Sequence, residues 1–183
     1  MELFEAIHRR ASYRKAFTSA PVHRGQLEQI VEAGIRAPTG YNAQTTSFVV
    51  VTDPDRRAQI AEATGDRDVV ASAQAIIAVI MRRGPVEGHE FDFGVEDYAA
   101  ATENMMLAVT ALGLASVWID GALRRDGVAD RIGELLGVPD GHEVRVILPI
   151  GVPEDDPPPT RRRPLGERAW FEAYGGDDRR SDS

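Results

Sequence analysis

The apolar positions of this chain fall into alternating stretches of helical and strand-like spacing. Leu3, Phe4 and Ile7 give one apolar face to a short helix predicted over residues 2–10. Residues 11–22 read as extended and end at Pro21. Leu27, Ile30, Val31, Gly34 and Ile35 predict a second helix over about 24–36, stopped by Pro38 and Gly40. Residues 47–52 are short, β-branched and apolar, the pattern of a strand. Asp53-Pro54 then supplies an N-cap and a first helical position. Residues 75–81 form a second, fully apolar strand, followed by a polar surface loop over 82–94. Residues 95–112 are the longest helical candidate, about 27 Å at the usual rise, closed by Gly113. A third strand is expected over 115–119, a helix over 128–136 capped by Gly137, and a fourth strand over 144–150. That last strand tolerates Pro149 only where the ladder leaves its nitrogen free. Five prolines exclude a regular element from 153–164. A last short helix is expected over 165–174 and a disordered tail over 175–183.

There is no internal repeat and no composition shift that marks a boundary, so one domain over 1–174 is expected. Strands mixed with helices ordinarily suggest a doubly wound parallel sheet. The long interval between the second and third strands, filled by a buried helix, fits that less well, and pattern alone leaves the choice open.

Charge narrows the partners. With 29 acidic and 21 basic side chains the net charge is -8, which argues against a general nucleic-acid or anionic-membrane surface. The basic residues are nevertheless clustered, with Arg9, Arg10, Arg14 and Lys15 near one end and Arg161-Arg162-Arg163 near the other. The absence of cysteine excludes disulfides, thiolate metal sites and Cys nucleophiles. No apolar run approaches the roughly 20 residues of a membrane span, and the N-terminus lacks a secretory pattern; a cytoplasmic location is the default. No metal site is expected, because His8, His23, His89 and His142 are scattered and His89-Glu90-Phe91-Asp92 reads as a polar loop. Glu96-Asp97 is best explained as first-turn acids favoured by the helix dipole. A Gly-x-Gly-x-x-Gly fingerprint is missing, so a nicotinamide dinucleotide would visit and not reside.

Two segments carry the candidate chemistry. Arg9-Arg10-Ala11-Ser12-Tyr13-Arg14 concentrates guanidinium groups and a hydroxyl. Arg10, Ser12 and Arg14 alternate, so in extended backbone their side chains project to one side, and two guanidiniums with a hydroxyl suit a phosphate. The second segment, Ala37-Pro38-Thr39-Gly40-Tyr41-Asn42-Ala43-Gln44, offers small residues, a turn and two carboxamides, each both donor and acceptor. Together they suit a ligand with an anionic end and a flat, hydrogen-bonding heterocyclic end, such as flavin mononucleotide (FMN). A solvated basic patch and a helix stop remain the ordinary readings of each segment alone.

These segments resemble the nitroreductase family of FMN-dependent oxidoreductases. The likeness extends to Asn104-Met105-Met106-Leu107, Ala111-Leu112-Gly113-Leu114, Trp118-Ile119-Asp120-Gly121 and Thr160-Arg161-Arg162-Arg163-Pro164-Leu165-Gly166-Glu167, covering the chain from Glu2 to about Trp170. The resemblance implies an α+β fold, a mostly antiparallel sheet flanked by helices, in a homodimer with its flavin sites at the subunit interface. It implies that Arg10, Ser12 and Arg14 hold the phosphate and ribityl chain. One family form has a second Arg at the position of Ala11, which leaves open whether Arg9 takes its place. Arg162, or its neighbours Arg161 and Arg163, would close the phosphate site. Pro38, Thr39, Gly40, Asn42 and Gln44 would meet the ring, while Ile119 and the backbone of Asp120 and Gly121 would lie near flavin N5. No catalytic side chain is implied, because the cofactor carries the chemistry: hydride passes from NAD(P)H through N5 to an electron-poor acceptor such as a nitroaromatic or quinone. Relatives that cleave flavin or dehydrogenate with oxygen, and a non-catalytic flavin-binding module, are the alternatives. Thr45-Thr46 stands where the family usually has Pro-Trp, a departure that bears on the shape of the substrate pocket.

Overall fold

The computed structural model describes residues 1–158 and 160–176. Its elements run α1 (Leu3–Arg9), α2 (Arg24–Ile35), β1 (Thr46–Val51), α3 (Pro54–Ala63), α4 (Asp68–Ala71), β2 (Ala75–Arg82), α5 (Gly94–Ala111), β3 (Ala115–Ser116), α6 (Val128–Leu136) and β4 (His142–Gly151). The four strands make one sheet of order β1-β2-β4-β3, and every neighbouring pair is antiparallel. The fold is therefore α+β, and the doubly wound parallel alternative is excluded.

The side-chain period of two divides β2 between two cores. Ile76, Ala78 and Ile80 pack with Ile60 of α3, Val70 of α4 and Ile132 of α6. Ile77, Val79 and Met81 pack with Leu27 and Ile30 of α2 and with Tyr98, Met105 and Val109 of α5. The sheet is thus covered on both faces, which makes its central strands read as continuous apolar runs. Asp53 caps α3 as its sequence predicts, accepting from the Arg56 N–H at 2.9 Å. Gly113 (φ 73°) follows α5 in the left-handed conformation that favours glycine.

Two elements differ from expectation. The strand predicted over 115–119 is regular only at Ala115–Ser116, with an isolated bridge from Ile119 to Ile147. Ala115 pairs with Gly151, Ser116 with Ile150 and Ile119 with Ile147, a constant register that puts Val117 opposite Pro149. Pro149 has no N–H to give there, so the ladder breaks for two residues and resumes. The proline's nitrogen faces the gap it creates. The helix predicted over 165–174 is reduced to a 3-10 turn at Leu165–Glu167. Leu165, Phe171 and Tyr174 are all exposed, and a short helix with no apolar face to bury is marginal. The expected tail over 175–183 lies, from residue 177 onward, outside the described residues.

Candidate active site

The extended segment after α1 is fixed against the end of β4 and the residues beyond it. The Tyr13 N–H donates to the Ser116 carbonyl at 2.9 Å and the Thr18 N–H to the Val152 carbonyl at 3.0 Å. The Glu154 N–H donates to the Tyr13 hydroxyl at 3.2 Å. This crossing brings Glu154-Asp155-Asp156 beside the basic cluster and sorts its members. Arg9 pairs with Glu5 and Asp156, Lys15 with Asp155 at 3.0 Å, and Arg10, largely buried, with Glu103 of α5 at 3.3 Å. Arg14 is exposed and, among the described residues, has no acidic partner; its guanidinium reaches only the Ser12 carbonyl, at 3.4 Å. Within this cluster, its charge is the one left for an incoming anion.

Arg14 lines a cavity of about 500 Å³ together with Arg67, Arg125, Trp118, Ile119, Asp120 and Gly121, within the size range of small-molecule sites. Arg14 and the strand end 119–121, read from segments a hundred residues apart, thus meet in one place. Arg9, Arg10 and Ala11 instead line a narrow crevice against Ser116 and Pro153. Arg10 and Arg14 consequently face different depressions, and the convergence that their alternation predicts does not occur within one chain. Arg161, Arg162 and Arg163 are exposed and join no ion pair among the described residues.

The electrostatics at the strand end depend on Arg124. Its guanidinium makes a bidentate pair with the Asp120 carboxylate, at 2.6 and 2.7 Å. The hydrogen bond to Asp120, and then its charge, hold the Arg124 pKa above the ordinary value. The Asp120 carboxylate is thereby paired and its rotation restrained. Among the described residues neither the Asp120 nor the Gly121 N–H has an acceptor, and the space where a Gly121 side chain would lie is open.

The ring-end segment folds into a tight loop around Gly40–Asn42. Tyr41, Asn42 and Gln44 all have positive φ, 55°, 55° and 52°, a conformation that costs a non-glycine residue about 1–2 kcal/mol. Asp97 of α5 holds the loop at both ends. One carboxylate oxygen accepts from the Gly40 N–H at 2.8 Å and the other from the Thr45 hydroxyl at 2.7 Å. Such charge-assisted bonds are worth about 1.5–3 kcal/mol each, enough to offset most of the strain. Thr39 adds a bond from the Gln44 N–H. A side chain at residue 40 would collide with the Phe93 ring. Tyr41 stacks on His89 with centroids 4.0 Å apart. Asn42 and Gln44 are exposed, and Pro38 lies at the entry to the loop. None of these residues lines the Arg14 cavity.

Asp97 and His89 were not legible as site residues in the sequence. Asp97 is not a solvated first-turn acid; it is 3% exposed and bonds to a loop more than fifty residues away. Thr45, standing where the family usually has proline, was the available signal, since its hydroxyl can donate where a proline cannot. No group of three or more metal-ligating side chains occurs among the described residues, and no described helix is long and apolar enough to cross a membrane.

The model of the Nitroreductase family matches residues 7–78 and 63–152. A protein of Archaeoglobus fulgidus whose name pairs NADH dehydrogenase with NAD(P)H nitroreductase is 31% identical over 155 residues, 85% of this chain and 87% of its own. The NADPH-flavin oxidoreductase of Vibrio harveyi is 31% identical over 170 residues, covering 87% of this chain and 69% of its own. Among solved structures, nitroreductase A of Vibrio parahaemolyticus superposes with a TM-score of 0.82 at 28% identity, over 97% of this chain and 78% of that one. The family match and these relatives, more than the fold alone, make the class that of an oxidoreductase using nucleotide cofactors. The chain belongs to the nitroreductase family.

Proposed function

We propose that the chain is an NAD(P)H-dependent FMN oxidoreductase whose acceptor is an electron-poor molecule such as a nitroaromatic or a quinone. The observation that carries this reading is the shared cavity of Arg14, with its uncompensated charge, and the two unbonded N–H groups of Asp120 and Gly121. A phosphate needs the first and a flavin ring edge the second, so the residues fit the group. Bound FMN supplies a redox centre that takes a hydride from a reduced nicotinamide and passes reducing equivalents to the acceptor.

The chain's own residues bind and orient. Arg14 would hold the phosphate, while Ser12 lies on the same segment and Arg9, Arg10 and Ala11 line the separate crevice beside it. Arg162, or Arg161 or Arg163, closes the site from the C-terminal segment. The Asp120 and Gly121 N–H groups, beside Ile119, would be donors to the ring, and Arg124, paired with the Asp120 carboxylate, would offset its charge there. Pro38, Thr39, Gly40, Asn42 and Gln44 belong to the same site through a second copy of the chain, in a homodimer in which the Pro-rich segment 153–164 reaches the partner. Two features support this: the loop lies away from the Arg14 cavity within one chain, and α1 exposes Leu3, Phe4 and Ile7. We place the enzyme in the cytoplasm, as one domain over residues 1–174.

The test is the absorbance spectrum of the purified chain, followed by anaerobic titration with NADH and NADPH. A flavin spectrum bleached by either nicotinamide and restored by a nitroaromatic or quinone is the expected result. Colourless protein whose melting temperature is unmoved by added FMN would overturn the reading. Turnover that strictly requires oxygen would favour an oxidative relative, and bound flavin inert to both nicotinamides a non-catalytic module.

A further inference from the structure

We propose that Asp97 positions the ring end of the flavin site by setting the conformation of loop 39–45; the inference rests on the FMN reading above. Asp97 lies in the first turn of α5, yet its side chain caps nothing there; the Gly94 N–H is taken by Asp92 instead. It is buried and, among the described residues, has no cationic partner. A carboxylate in that condition is costly unless hydrogen bonds replace its water. Both that replace it come from the same loop, five residues apart: the Gly40 N–H and the Thr45 hydroxyl. Between those anchors lie the three residues of positive φ. The anchors therefore decide where the Asn42 and Gln44 carboxamides stand. Asp97 touches neither the cavity nor its arginines and is a positioning residue, not a catalytic one.

The role belongs to the carboxylate's shape and acceptors more than to its charge. In Asp97→Asn, the carboxamide oxygen accepts from the Gly40 N–H while its nitrogen donates to a reoriented Thr45 hydroxyl, so both ties survive. In Asp97→Ala neither does, and in Thr45→Val one is lost.

Amide hydrogen exchange over 39–45 in flavin-free protein, and the FMN dissociation constant by fluorescence quenching, are measured for wild type and the three variants. Expected are accelerated exchange over 39–45 and a dissociation constant raised about 10- to 100-fold in Asp97→Ala, a smaller change in Thr45→Val, and near-wild-type values in Asp97→Asn. Unchanged exchange in Asp97→Ala overturns the proposal, as does a loosened loop with unaltered FMN affinity. Failure of Asp97→Asn to restore both also overturns it, since the charge and not the anchoring would then matter. If Asp97→Ala does not fold, Thr45→Val decides by the same two readouts. Wild type that binds no FMN refutes the functional reading instead, and exchange alone then judges the anchoring of the loop.

Discussion

Arg14 differs from Arg9, Arg10 and Lys15 only in its surroundings. Each of the other three has a carboxylate within 3.6 Å, so an arriving phosphate would compete with an existing partner for each. Replacing Arg14 with alanine is expected to weaken FMN binding about 10- to 100-fold, the worth of a hydrogen bond to a charged group. Lys15→Ala, which removes an exposed, already paired charge, should change it by less than about 3-fold. Equal effects in a fluorescence titration would mean that the cluster acts through bulk charge. The sequence showed the cluster but not this ranking: Glu5 stands at helical spacing from Arg9, but the acids that pair with Arg10 and Lys15 come from residues 103 and 155, and pairing over such distances leaves no mark in local spacing. For the same reason Asp97 looked like a helix-dipole residue. Its partners lie more than fifty residues away along the chain, and only the folded chain brings them within 3 Å.

Elements were legible where local physics decides them. The apolar period of α2, the Asp53-Pro54 start of α3 and the left-handed glycines at 113 and 137 are properties of a few adjacent residues. Strand direction is not such a property. β2 and β4 are apolar because helices cover both faces of the sheet, and an antiparallel strand buried in this way carries the same residues as a parallel one. The extent of β3 depended on its neighbour. Pro149 is visible in the sequence, but that it faces Val117 follows from the register of two strands. Pro149→Ala should therefore let the ladder run through residues 117–118 and create a slowly exchanging amide at 149. The new hydrogen bond, about 1 kcal/mol, is nearly cancelled by the greater freedom of the unfolded chain without the proline. Denaturant unfolding should accordingly change by less than about 1 kcal/mol while exchange at 149 slows. A fast-exchanging amide at 149 would show that the gap in β3 has another cause.

At the scale of the whole molecule, one chain separates the groups that the proposed flavin site brings together. Arg14 and the N–H groups of Asp120 and Gly121 share a cavity, but the Asn42 and Gln44 loop is held elsewhere by α5. α1 meanwhile exposes Phe4 and Leu3 at 74% and 62%, side chains that gain from burial against another surface. A twofold dimer resolves both facts if each site takes its cation from one chain and its carboxamides from the other. Subunit mixing distinguishes this from a site built within one chain. Arg14→Ala and Asn42→Ala homodimers each carry two damaged sites and should bind FMN weakly. In a mixed dimer, the Asn42→Ala chain supplies Arg14 and the Arg14→Ala chain supplies Asn42, so one site is intact and the other doubly damaged. Random reassociation makes about half of the dimers mixed, and about a quarter of all sites should then recover wild-type affinity. If both residues act within a single chain, no combination of the two variants makes an intact site. FMN titration after mixing would then show no tight-binding fraction at all, and the interfacial site would be wrong even if each variant alone had lost its flavin as expected.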